Sequence, residues 1–193
     1  MQKYGLKVSS PYDKLEEKLI HAAGDIILAE PGNYHIVCEG DTYVHHNIVN
    51  NQISIVCESA EDDIKIEIKA SGKLGTDEVA DVYHKIIAKH KNVQTNISAR
   101  GVVNENGRII YRSSLAADEN TTGQGKQSGK FIILDNTAEI DAEPSLDIYS
   151  DLFPTAHAIG VSGIDPQKLF YMRSQGMSEV EAKDEIVAGF LNS

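Results

Sequence analysis

The chain lacks tryptophan altogether, and its 193 residues include only four phenylalanines, two cysteines and five prolines. With 6% aromatic residues, the core has to be built from aliphatic and β-branched side chains, a composition that favours strands. Two cysteines, Cys38 and Cys57, are too few for the disulfide framework of a small secreted domain. No apolar run approaches the roughly 18–20 residues that cross a bilayer as a helix. The opening Met1-Gln2-Lys3-Tyr4-Gly5 leads into polar sequence without the pattern of a signal peptide. Positive charge is in deficit: 18 Lys and Arg stand against 29 Asp and Glu, a net charge of -11. Such a balance speaks against nucleic acid and against an anionic membrane surface as partners. The expectation is a soluble cytoplasmic protein with one substantial core.

What is present is mostly strand-like. Runs at Tyr34–Cys38, Ile53–Cys57, Ile64–Ile68, His84–Ala88, Val93–Ile97, Arg108–Arg112 and Lys130–Leu134 are short, rich in β-branched residues and separated by turn residues. Several alternate apolar and polar positions, as half-buried strands do. Ile36-Val37-Cys38-Glu39 recurs nineteen residues later as Ile55-Val56-Cys57-Glu58. A period near twenty favours stacked solenoid coils over the sandwich or jelly roll that short strands also permit. The polar, glycine-rich stretch from Ala116 to Gly129 is expected to be a mobile loop.

Helical signals sit at the two ends. Ser10, Pro11 and Asp13 form a helix start, Leu15, Leu19 and Ile20 an apolar stripe, and Gly24 a stop, which predicts a capping helix over about 11–22. Near the other end, Asp165-Pro166 opens a helix that stops at Gly176, and Ser178 with Glu181 makes a capping box for a second. The helices are positioned to cover the open edges of the solenoid, which otherwise invite pairing with other chains.

The last third also carries a resemblance. The order Phe131-Ile132-Ile133-Leu134, then Pro144, Leu146, Asp147 and Ile148, then His157, and finally Leu169-Phe170-Tyr171 with Arg173-Ser174 and Gly176 resembles the C-terminal core of the SufB/SufD family of iron–sulfur cluster assembly proteins. The resemblance implies a mainly β fold, a right-handed parallel β-helix over residues 1–163 with a short helical tail over 164–193. It further implies a non-enzymatic scaffold or accessory subunit working with a Suf-type ABC ATPase. That ATPase would dock on Leu169, Phe170, Tyr171, Arg173 and Phe190. The partner β-helix would be a SufB/SufD-like paralogue or a second copy in a homodimer, with His157 near the seam. Two rivals remain: a binding module that has lost cluster chemistry, and a β-helix enzyme acting on carbohydrate through clustered acids.

Candidate metal ligands are few. The resemblance leads one to expect a cysteine where Gly129 stands and carboxylates where Ala156 and Ala158 flank His157. An iron–sulfur cluster needs several soft ligands, and one imidazole cannot hold it. Iron or a cluster would therefore draw on ligands from a partner. Cys38 and Cys57 occupy equivalent places in the repeated quartet, so stacking would bring them together as a soft-metal pair or as core filler. His45, His46, His84 and His90 lack metal-ligand spacing and are expected on the surface or on strand faces. No phosphate-binding loop and no nucleophile elbow is present.

Overall fold

The computed structural model describes residues 16–192. Ten strands run in chain order, followed by two helices. The strands are β1 (Glu17–Leu28), β2 (Gly32–Asn47), β3 (Gln52–Ser59), β4 (Lys65–Leu74), β5 (Val79–Ala88), β6 (Val93–Val103), β7 (Arg108–Ala117), β8 (Gly123–Ile133), β9 (Glu139–Ile148) and β10 (Thr155–Ser162). The helices are α1 (Pro166–Ser174) and α2 (Glu179–Leu191).

Every pairing is parallel, and even-numbered strands stack on one side while odd-numbered strands stack on the other, in the order β10-β8-β6-β4-β2-β3-β5-β7-β9. Strand β2 turns the corner between the two faces. Its first half pairs with β3 and its second half with β4, and β1 lies along its other edge. The result is a β-solenoid of about four turns. Inward positions alternate with outward ones along each strand, so Ile36, Val44, Ile55, Ile66, Ile68, Val82, Ile86, Ile97 and Ile109 meet in one apolar core cluster. Each such side chain contributes roughly 1.5–3 kcal/mol by leaving water.

Turns between coils are built by ladders of short polar side chains. Asp63 and Asn92 stack in left-handed backbone conformation, Asn92 donating to Asp63 at 2.8 Å, and the Asn92 amide donates to Thr122 in the next coil. A second ladder repeats the device with Asp77, Asn106 and Thr137. Asp and Asn tolerate this conformation because their side chains replace lost backbone partners. Partners in these ladders lie 29 to 31 residues apart.

That spacing corrects the period near twenty. The repeated quartets belong to neighbouring strands of the corner, where Ile36 aligns with Cys57 and Cys38 with Ser59. The repeat is thus displaced by two residues, which preserves the inward face but not the coil length. Two local expectations also change. Residues 17–22 of the expected capping helix form strand β1, because parallel pairing with β2 satisfies the backbone and outweighs the weak helical stripe; residues 11–15 lie outside the described residues. The glycine-rich stretch is strand β8 from residue 123 onward. Its glycines face inward against bulky neighbours: a Cβ on Gly125 would meet Leu115 at 2.3 Å, and one on Gly129 would meet Phe131 at 2.9 Å.

The tail helices have the caps expected of them. Asp165 accepts from the Gln167 amide, and Ser178 and Glu181 form a reciprocal capping box. They do not seal the last coil. Helix α2 lies on the outside of β6 and β8, burying Val187 against Val102 and Ile132, and Asp184 meets Lys73 at 3.6 Å. The inward side chains of β9, including Ile140, Leu146 and Ile148, stay half exposed because no further coil of the described residues covers them.

Candidate functional site

Three sets of side chains carry chemical potential, and they lie apart. The first is on the tail. Helix α1 buries none of its residues, and it presents Phe170 at 75% and Tyr171 at 65% exposure. Arg173 is tied to Glu179 at 3.5 Å, which braces α1 against α2. Phe190 is drawn instead toward the Val102–Ile132–Val187 cluster. Of the five tail residues picked out in the sequence, Phe170 and Tyr171 stand fully available and Phe190 serves partly as packing.

The second set is His157 and its surroundings. His157 is exposed on β10, an edge strand that pairs only with β8, between Ala156 and Ala158. The cysteines are far from it in the fold, inside the first coil. Both are free and fully buried, and they are hydrogen-bonded to each other. That bond and burial together push the Cys57 thiol well above its usual range, so it stays protonated and a poor metal ligand as it stands. Among the described residues, no three His, Cys, Asp or Glu side chains converge in a way that would hold a metal ion.

The third set was not picked out as functional. His46 and His84, expected at the surface or on strand faces, both turn into the core. Their Nε2 atoms are 2.7 Å apart, and the Tyr111 hydroxyl is 3.4 Å from His84 Nδ1. The rings meet edge to face, at 83° and 81°. One arrangement of protons satisfies the line. His46 Nδ1–H donates to the Asn47 carbonyl at 3.2 Å, His84 Nε2–H donates to His46 Nε2, and the Tyr111 hydroxyl donates to His84 Nδ1. Both rings are then neutral. Burial drives His46 down to about 4 and His84 well below its ordinary value, the latter reinforced by His46. Further along the core, Ser113 donates to Gln127 at 2.6 Å and Gln127 donates to the Ser145 carbonyl at 2.7 Å, which extends the polar interior to the last coil. The signal was in the alternation: Val44-His45-His46 and Val82-Tyr83-His84 place these histidines in phase with the buried positions.

Comparison with known proteins supplies the family. The family model described as "SUF system FeS cluster assembly, SufBD core domain" matches residues 32–190, spanning β2 through α2. The chain belongs to the SufBD core-domain family. It is similar to an iron-sulfur cluster assembly SufBD family protein of Staphylococcus aureus (strain USA300), 30% identical over 118 residues. A protein of the same description from Staphylococcus saprophyticus matches equally well. In both, the matched stretch is 61% of this chain and 25% of the relative, so the chain matches only about a quarter of those proteins.

For a SufBD member, the donor set is thin, and the geometry gives a reason at one position. Gly129, where the resemblance places a cysteine, sits in β8 facing inward, and any side chain there would press on Phe131 and Ile159. The donors among the described residues do not fit a cluster held within one chain. No described helix is long and apolar enough to cross a membrane.

Proposed function

We propose that this chain is an accessory, non-catalytic subunit of cytoplasmic iron–sulfur cluster assembly, in which the cluster is cargo carried by ligands from another subunit. The family match from β2 through α2 carries this reading, together with the exposed aromatic pair on α1. The tail, residues 164–193, acts as the docking module for a Suf-type ABC ATPase. Leu169, Phe170, Tyr171 and Arg173 form the contact, and Phe190 holds α2 in place behind it. Aromatic residues standing free on a short helix suit an interface anchor.

The solenoid domain, residues 1–163, pairs through its last coil with a second copy or a SufB/SufD-like paralogue. Half-exposed Ile140, Leu146 and Ile148 and the open edge of β10 support that pairing. His157 then lies at the seam, able to supply a single imidazole toward iron held mainly by the partner. Cys38 and Cys57 belong to the core in this reading.

Co-purification with the ATPase subunit tests the tail. Phe170→Ala is expected to weaken capture about tenfold or more without changing the unfolding midpoint; retained capture would remove the tail from the interface. Anaerobic loading with iron and sulfide tests the cargo role. The isolated chain is expected to develop no cluster absorbance, and a stable chromophore lost in Cys38→Ala/Cys57→Ala would contradict the accessory reading.

A further inference from the structure

On the outer face of the even-numbered strands lies an open groove of about 930 Å³. Its floor is set by sheet register. Lys69, Ser98 and Ser128 align across β4, β6 and β8, and one step along, Ser71, Arg100 and Lys130 align in the same way. Lys126, two residues before Ser128, extends the floor toward a second, smaller depression. Four cations therefore converge in one concavity of a protein whose net charge is -11.

Most of that charge is uncompensated. Among the described residues, Arg100, Lys126 and Lys130 take part in no ion pair, and Ser98 and Ser128 make no side-chain hydrogen bond. Lys69 is shared with Glu67, which it and Lys65 clamp at 2.8 and 3.3 Å. Arg100 is half-buried, and an unpaired guanidinium held against a sheet loses hydration with no compensating partner. Two carboxylates border the groove: Asp25 on β1, 4.0 Å from His45, and Glu67, held by Lys65 and Lys69 in the row that Asn96 and Lys126 continue. The end of α2, at Leu191 and Asn192, forms the wall, and its carboxyl-terminal dipole steers an anion away from that side and toward β6 and β8.

We infer that this groove binds a small molecule bearing two or more phosphate groups. The size falls within the range of small-molecule sites. Arg100 and Lys130 on adjacent strands are roughly 4.8 Å apart along the sheet, and Lys126 and Lys130 are roughly 13 Å apart along one strand. That spacing offers one phosphate a guanidinium and an ammonium together and reaches a second phosphate with Lys126. Unpartnered serine hydroxyls supply neutral donors between them. No Phe, Tyr or Trp lines the groove, so stacking of nucleic-acid bases has no platform there.

The test is calorimetric titration of the full chain with inorganic tripolyphosphate, with citrate, poly-glutamate and single-stranded DNA run in parallel. Saturable binding of tripolyphosphate is expected, weakened at least about tenfold in R100Q/K130Q and unchanged in K85Q, a lysine on the opposite sheet face. These are outward-facing sites, and thermal unfolding of each variant checks that the fold is intact. No saturable binding, equal binding by the double variant, or tighter binding of citrate, poly-glutamate or DNA would overturn the inference. The readout involves neither the ATPase nor iron, so it fails or succeeds independently of the tail and cargo readings.

Discussion

The central coils and the last coil are made of the same alternating sequence, yet they differ in completeness. In β4 through β8 each inward side chain has a coil above and below, and residues such as Ile97 and Tyr111 are wholly buried. In β9 and β10 the same alternation leaves Ile140, Leu146 and Ile159 half covered. Apolar residues in phase with a core but only partly covered leave the last coil with an open apolar face. In a solenoid, stability is supplied by neighbours on both sides, so the terminal coil has about half of what the central ones have.

The largest contrast is expected from truncating one inward residue in each region. Ile97→Ala should cost about 2–5 kcal/mol in urea unfolding. Ile140→Ala in the last coil should cost less than half as much, and equal losses would show that the terminal coil is as closed as the middle.

Acid sharpens the comparison further, because the histidine pair joins corner strand β2 to central strand β5 and has no counterpart in the last coil. Both rings have folded pKa values below the ordinary 6.5, so the unfolded chain takes up protons first. Their contribution is complete above about pH 6.5 and is lost as pH falls toward about 4, up to about 3 kcal/mol for His46 alone. Urea midpoints at pH 7.5 and 5 measure this loss, and His46→Leu/His84→Leu is expected to flatten the difference. An unchanged pH slope in that double variant would mean the rings are not the sensitive groups.

A smaller effect should follow from adding a methyl group. Gly125→Ala forces a Cβ into Leu115 and Phe153 and should cost about 1–3 kcal/mol, whereas Gly160→Ala in β10 meets nothing within 4 Å and should be nearly neutral. Equal melting temperatures for the two variants would place Gly125 outside a packed interior.

How much of this was legible beforehand depends on whether the deciding interactions were local. The tail helices were, because Asp165, Ser178 and Glu181 satisfy backbone groups within three residues. The strands and their stacking were legible from alternation and from the repeated quartet. The coil length was not, since the quartet sits at a corner where β2 serves two faces. Strand β1 departs from the helical expectation because Leu19 and Ile20 sit at positions a helix would also use, while the partner that decides the matter lies sixteen residues away, Glu17 beside Asn33. The stretch after Ala116 looked like a loop because glycine there answers to the bulk of Phe131, Leu115 and Phe153, which no local rule reveals. Among the candidate side chains, Phe170 and Tyr171 stand exposed on a helix whose Asp165-Pro166 start was readable. The buried His46–His84–Tyr111 line required two sheets to be brought face to face.

Hydrogen exchange on the intact chain, followed residue by residue across a range of protein concentrations, tests most directly whether the last coil is an unfinished surface. Amides of β6 should be strongly protected at every concentration, while those of β10 exchange fast in dilute solution and slow as copies pair along that edge. Protection in β10 that matches β6 and ignores concentration would contradict the account.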